Sequence, residues 1–463
     1  MRMRMGGTTV PPRAAAEPET PTPETAEPET AEATGRKRRL RRPRLPRPPV
    51  SRKVALGALA LLLVAGAAAA LIVTDPFGGD EGEAPAPKVA GSEKVEVKVE
   101  AVEAAASLGF PAFATANTTR VGGSDPEANA AAVALAVYPS AGDSPPPPAV
   151  TIVPDDPQAA IAASVLATDP VHAPVLIGSS DGVPSATDDA ISALGPRGAP
   201  ETKRAAVFAI GDVDVPEGLR ATKVGGADPA VTAAAIARLR DQLLGGKPDH
   251  IVVAGEDPAF AAPAAAWAAR SGDPVLFATA KTLPKPTAAA LERDKDVPVF
   301  VLGPSSVIGS DVLRKIGRVS SEVHRVSGED PVSNSVEFAR YAQGSFGWNI
   351  NDHGHGFVVA STGRPLEAAA ASSLSAAGTW GPLLLTDSAS ELPGALRGYL
   401  LDVKPGYRSD PTRALYNHVW VIGDQEAIDV NQQAALDQLA KLARIGPAPG
   451  AEPKAAKKKK GKK

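Results

Sequence analysis

Lys223-Val-Gly-Gly-Ala-Asp-Pro229 opens the stretch that decides the fold. A helical run of small residues follows, Val231 to Leu244, and then the apolar run His250-Ile-Val-Val-Ala-Gly255. An alanine-rich helix is expected from about Pro258 to Arg270. Pro274-Val-Leu-Phe-Ala278 comes next, with a Leu283-Pro284 turn, and Pro298-Val-Phe-Val-Leu-Gly303 closes the stretch. Strands covered on both faces read as short unbroken apolar runs. Alternating with helical runs, they predict βαβ units that feed a buried parallel sheet.

The same order of pieces stands on either side. Arg120-Val-Gly-Gly-Ser-Asp-Pro126 opens an earlier copy and Arg325-Val-Ser-Gly-Glu-Asp-Pro331 a later one. The middle strands are Pro174-Val-Leu-Ile-Gly178, Pro274-Val-Leu-Phe-Ala278 and Pro382-Leu-Leu-Leu-Thr386. The closing strands are Val207-Phe-Ala-Ile-Gly211, Val299-Phe-Val-Leu-Gly303 and Val419-Trp-Val-Ile-Gly423. A period near 100 residues exceeds that of solenoid repeats and is the size of a small domain.

Composition narrows the function. With no cysteine there is no disulfide, thiolate metal site or cysteine nucleophile. Aromatics are 4%, so the cores rest on Ala, Val, Leu and Ile. The net charge of −3 hides segregation: residues 75–451 carry 29 bases against 45 acids, while both ends are basic. An acidic body between basic ends speaks against a nucleic-acid binder, which needs a basic stripe on its folded part.

Residues 1–35 repeat Pro, Glu and Thr with few large apolar side chains, a composition that stays disordered. A block of ten bases from Arg36 to Lys53 contains no acid, and Val54 to Val73 is uncharged. Twenty such residues reach roughly 30 Å, the thickness of a hydrocarbon core. Acids lie beyond the span, so the positive-inside rule places the N-terminus in the cytoplasm. The competing reading is a cleaved signal peptide, with small residues at Ala67 to Ala70. The chain thus divides into a cytoplasmic tail with a basic juxtamembrane block (1–53), a transmembrane helix (54–73), a linker or stalk (74–116), three repeats (117–220, 221–321, 322–445) and a Lys-rich tail (446–463). The third repeat carries a polar and aromatic insertion, Tyr341 to Gly356, and a second one, Tyr399 to Tyr416.

The repeat resembles the cell wall binding repeat 2 family, whose members carry it in tandem threes. Matching positions are Arg120, Gly123 and Asp125; Lys223, Gly226 and Asp228; Arg325, Gly328 and Asp330; Gly255-Glu-Asp257; Leu383-Leu-Leu-Thr386 with Leu392-Pro393; and Gly211, Gly303 and Gly423. Where the family has an arginine after each Asp, this chain has Pro126, Pro229 and Pro331. The resemblance implies an α/β fold of three Rossmann-like or Toprim-like units with parallel sheets about a pseudo-threefold axis. It also implies noncovalent attachment to anionic wall polymer.

Arg120, Lys223 and Arg325 recur at one position, which makes them candidates for repeated contact with an acidic polymer. The alternative is an ion pair between each and its own unit's Asp. Val175, Leu176 and Ile177, with Val275, Leu276 and Phe277 and with Leu383, Leu384 and Leu385, match a strand that the family uses in wall attachment. By pattern alone they are sheet core. His353 and His355 beside Asp352 lack a visible third ligand, so no metal is expected. The serines of Gly178-Ser-Ser-Asp-Gly182 and Gly303-Pro-Ser-Ser306 form no nucleophile elbow, and no catalytic residue or cofactor is expected. The sequence therefore predicts a noncatalytic, single-pass plasma-membrane protein whose C-terminal part lies on the wall side. Its expected partners are the membrane and an anionic wall polymer. The alternative is an extracytoplasmic scaffold or sensor that binds protein partners.

Overall fold

Asp125, Asp228 and Asp330 each stand in extended backbone, accept a hydrogen bond from an amide of the following first turn, and are followed by proline. An acidic cap satisfies amides that have no helical partner, and proline has no amide to leave unpaired, so each motif starts a helix. In the computed structural model, which describes residues 113–446 apart from 124, 140–144 and 321, these three helices head three α/β units.

The first unit runs β1 (Phe113–Ala114), β2 (Thr118–Val121), α1 (Pro126–Val137), β3 (Val150–Val153), α2 (Pro157–Ala163), β4 (Val175–Ile177), α3 (Ser185–Leu194) and β5 (Val207–Ile210). The second runs β6 (Ala221–Val224), α4 (Pro229–Leu244), β7 (Ile251–Gly255), α5 (Pro258–Ala261), α6 (Pro263–Ser271), β8 (Val275–Ala278), α7 (Lys285–Arg293), β9 (Val299–Leu302) and α8 (Ser310–Ile316). The third runs β10 (Val323–Val326), α9 (Pro331–Arg340), β11 (Gly356–Ser361), α10 (Pro365–Ala370), α11 (Ser373–Ala376), β12 (Leu383–Thr386), α12 (Gly394–Asp402), β13 (Gly406–Tyr407), β14 (His418–Ile422), α13 (Val430–Ala440) and β15 (Ala443–Arg444).

Three sheets of matching order hold these units, and none of them is built from one sequence repeat alone. The orders are β4-β3-β5-β6, β8-β7-β9-β10 and β12-β11-β14-β2-β1. All ladders in the three sheets are parallel except the short antiparallel pair of β1 with β2. The opening strand of each repeat is therefore the edge strand of another repeat's sheet. β6 joins the first sheet, β10 the second, and β2, from the start of the described chain, joins the third. The helix after each opening strand returns to its own unit: α1 packs on β4, α4 on β8 and α9 on β12. Sheet boundaries thus differ from the sequence repeat boundaries 117–220, 221–321 and 322–445, because a strand handed over at an edge leaves the period unchanged.

The second helices meet in the middle. α2 packs against α4 and α10, and α11 packs against α6. Ser372 Oγ donates to Ser164 Oγ at 2.9 Å between the first and third units. Alanines such as Ala160, Ala265 and Ala369 are fully buried here, which lets backbones approach closely. The helix expected over Pro258 to Arg270 comes in two pieces that break before Pro263. Proline offers no amide to the preceding turn, and Gly272 ends the second piece in the left-handed region.

Among the described residues no helix is long and apolar enough to cross a membrane. The expected span over 54–73, the basic block before it and the Lys-rich tail from 447 lie outside the described residues.

Candidate functional site

The recurring cations occupy one register position. Arg120 lies opposite Val421, Lys223 opposite Ala209 and Arg325 opposite Val301, each the third residue of its strand. Their surroundings differ. Arg120 is 3% exposed and donates from Nη1 to the carbonyls of Gly423 (2.7 Å) and Asp424 (2.8 Å), from Nη2 to Ile428 (2.6 Å) and from Nε to Gln433 Oε1 (2.9 Å). Arg325 donates to the carbonyls of Gly303 and Ile308, the latter at 2.7 Å. In both units the guanidinium binds the glycine that ends the closing strand and the residue five further on. The loop carbonyls of the neighbouring unit fill the place where an ion pair with the unit's own Asp was the alternative. Lys223 is exposed, and its side chain has no hydrogen-bond or ion-pair partner among the described residues. A lysine has no planar fork to span two carbonyls. The structure therefore keeps the three cations in register but on three separate sheets.

The apolar triplets stand in β4, β8 and β12. Val175, Leu176, Ile177, Val275, Leu276, Phe277, Leu383, Leu384 and Leu385 are all 2% exposed or less. Helices cover both faces of these strands, so the side chains lie in the cores of the three sheets.

A further repeated polar position stands six residues after the motif's glycine. The amide of Gly226 donates to Thr232 Oγ1 at 3.0 Å, that of Gly328 to Asn334 Oδ1 at 3.1 Å, and that of Gly123 to Asn129 Oδ1. A Cβ on Gly328 would lie 2.2 Å from the Asn334 amide, so that turn requires glycine. Sequence reasoning missed this contact. Its signal was Asn129 and Asn334 at one repeat position, with Thr232 as a shorter substitute.

The carboxyl ends of parallel strands are where α/β proteins place ligands, and in the third unit that crevice is charged. Glu367, on α10, is 3% exposed, and a Cβ on Gly423 would lie 3.2 Å from its Oε2. Arg364 reaches Glu367 Oε1 at 3.4 Å and Asp424 Oδ1 at 3.1 Å. Burial pushes the Glu367 carboxyl up to about 7, against the opposing pull of Arg364. The positions corresponding to Glu367 hold Ala159 and Phe260, both buried, so this charged arrangement has no copy in the other two units.

The histidine loop is held as a turn. Asn417 Oδ1 accepts from the amides of Gly354 (2.8 Å) and His355 (3.2 Å), and Asn417 Nδ2 donates to the Val403 carbonyl at 2.9 Å. His355 Nε2 lies 3.0 Å from Asp352 Oδ1. Among the described residues no group of three His, Cys, Asp or Glu is placed to hold a metal. Of the serines after strand ends, Ser179 Oγ accepts from the Asp181 amide at 3.0 Å, an ordinary turn contact.

The Tyr341 to Gly356 insertion lands on the second unit. Phe346 stacks on Phe300 with ring centroids 3.6 Å apart, and its ring meets Trp267 edge-on at 4.9 Å. Beside them Asp273 accepts from Trp267 Nε1 at 2.8 Å and from the His250 amide at 3.0 Å. His250 Nε2 in turn lies 3.0 Å from Ser345 Oγ of the insertion. An open groove of about 440 Å³ runs along this seam, lined by Trp267, Arg270, Ser271, Trp348, His355 and Trp380 among others.

Residues 223–313 match the family model described as cell wall binding domain 2. Among solved structures, the fold is similar to that of Cwp8 from Clostridium difficile. The TM-score is 0.55 at 18% identity, over 70% of this chain and 52% of that one. It is also similar to Cwp6 from Clostridium difficile, with a TM-score of 0.54 at 17% identity, over 71% of this chain and 48% of that one. The chain thus spans about half the length of the structures it matches. No curated protein matches it.

Proposed function

From the cell wall binding domain 2 that this chain carries at residues 223–313, we propose that it is a noncatalytic envelope protein that holds anionic wall polymer noncovalently through its three α/β units. The carrying observation is that the matched segment is one of three units with the same sheet order, so a wall-binding property of one unit has two further structural copies to act through. We further propose that the uncharged run over 54–73 anchors the chain in the plasma membrane. The folded part then lies on the wall side, and the three sheets follow the Rossmann-like or Toprim-like, pseudo-threefold plan. The Lys-rich tail adds a screened, nonspecific attraction to the same polyanions. Arg325 and the buried triplets serve this reading by holding the units in shape. Lys223 is the one cation of the repeated set free to meet a ligand.

The test is sedimentation of the chain with purified envelope, before and after acid extraction of anionic polymers, in parallel with a version ending at Gly446. Binding by both versions that disappears on extraction is the expected result. Binding only with the Lys tail present would assign the attraction to charge alone and overturn the proposal.

A further inference from the structure

The groove between the second and third units has a composition that the polymer-binding reading does not use. Three of the chain's four tryptophans line it, in a protein whose aromatic content is only 4%. Trp267 and Trp348 meet edge to face with centroids 5.5 Å apart and form one wall. The Trp348 indole N–H is buried and has no partner among the described residues. Trp380 is 56% exposed. Its backbone is held at φ 51°, in the left-handed region that bulky residues rarely enter. Its neighbours fix it there: Gly378 is at φ 101°, and a Cβ on Gly381 would lie 1.8 Å from the Gly356 carbonyl oxygen. Holding an exposed indole on a strained, tightly seated turn costs stability, and strain of this kind clusters at ligand sites.

The polar side of the groove selects the class of ligand. Arg270 is exposed and has no carboxylate partner among the described residues. Ser271 and His355 stand with it. Asp352, the acid of the histidine loop, is engaged by His355. Sugar rings present a face of C–H groups that packs on an indole, and hydroxyls at the rim that meet polar side chains. A guanidinium adds paired hydrogen bonds to a carboxylate or phosphate. A volume of about 440 Å³ accommodates a ligand of one or two rings.

We propose that this groove binds a saccharide unit bearing an acidic group, with its ring against Trp380 and its acid on Arg270. The proposal rests on the wall-polymer reading and names a site for it. That site is contributed by α6, by the Tyr341 to Gly356 insertion and by the turn before β12 that carries Trp380, and it uses none of the repeated cations Arg120, Lys223 and Arg325.

Tryptophan fluorescence of the full chain tests it, with three probes. The disaccharide of N-acetylglucosamine and N-acetylmuramic acid carries a carboxylate, N-acetylglucosamine 1-phosphate carries a phosphate, and chitobiose carries neither. Saturable binding of at least one acidic probe is expected, and which one binds identifies the source of the acid. Trp380→Ala should weaken it about tenfold, the scale of one lost stacking contact. Arg270→Ala should weaken the acidic probe and leave chitobiose unchanged. Both residues are exposed, so circular dichroism should show both variants folded. No saturable response to either acidic probe at millimolar concentration, or unchanged affinity in both variants, would overturn the site. Equal binding of chitobiose would overturn its acidic specificity. Envelope sedimentation of the double variant separates the two levels. If the probes fail while sedimentation persists, the groove falls and the wall reading stands. If the probes bind while the unmodified chain does not sediment, the groove stands without that reading.

Discussion

Arg120 donates to the carbonyl of Gly423 across 303 residues of chain, at 2.7 Å. The first described repeat thereby closes the sheet of the last. The contact lies beside a parallel ladder that runs from Thr118 opposite Val419 to Val121 opposite Ile422. Arg120→Ala leaves the Gly423 and Ile428 carbonyls without their charged donor. Hydrogen bonds from a charged group contribute about 1.5–3 kcal/mol each, so a loss of at least about 3 kcal/mol is expected in urea unfolding. Deleting residues through Val121 should do more, since it exposes β14 as a bare sheet edge. Size-exclusion chromatography should then show aggregation.

Arg325 and Lys223 share that register position without sharing its role. Arg325→Ala should cost less than Arg120→Ala, about 1.5–3 kcal/mol in total, because its two carbonyls lose a charged donor that is only half-buried and water replaces part of each bond. Lys223→Ala removes an exposed side chain and should change stability by less than about 0.5 kcal/mol. Paired denaturation curves check both. A large destabilisation by Lys223→Ala would contradict the asymmetry.

Much of this was legible in the sequence, and the reasons differ by feature. The caps at Asp125, Asp228 and Asp330 were legible because capping is local chemistry within four residues. The buried strands were legible because parallel strands need unbroken apolar runs. The hand-over of β2, β6 and β10 was not, since a strand given to a neighbour has the same spacing as one kept. Nor was the role of Arg120, because its partners are backbone carbonyls, which leave no residue-type signal. Thr187 and Thr287, at one repeat position, donate to the carbonyls of Ile177 (2.5 Å) and Phe277 (2.7 Å), yet in the sequence they look like ordinary helix residues. The landing of Phe346 on Phe300 depended on where an insertion folds, which no period encodes.

Glu367 should make stability fall as pH rises. Its folded value, about 7, lies above its ordinary value of 4.5, so between these limits the native state holds more proton than the unfolded one. Stability from this group is fully present below pH 4.5 and is lost through pH 7. The loss is on the order of 3 kcal/mol. Glu367→Gln keeps the shape and removes the titration, so its unfolding free energy should be flatter across that window and no lower than that of the unsubstituted chain at pH 7.5. An unchanged pH profile would mean that Arg364 keeps the carboxylate charged throughout.

Phe346 is the test of the insertion. It is 1% exposed and stacks on Phe300 of the second unit. Phe346→Ala empties a ring-sized space and should destabilise by about 3–5 kcal/mol. Because His250 and Trp267 border the same space, the near-ultraviolet circular dichroism should lose intensity before the far-ultraviolet signal does. Simultaneous loss of both would instead make the seam part of one cooperative unit.

The buried triplets separate stability from binding. Leu276 is 1% exposed between the flanking helices of the second sheet. Leu276→Ala should cost about 2–5 kcal/mol, the range for a large-to-small change in a packed core. The side chain reaches no surface, so envelope binding per folded molecule should stay at the level of the unsubstituted chain. Measuring sedimentation at a temperature where circular dichroism shows the variant folded makes that comparison. Reduced binding by a folded Leu276→Ala variant would mean that the strand acts on the wall through more than the shape it maintains.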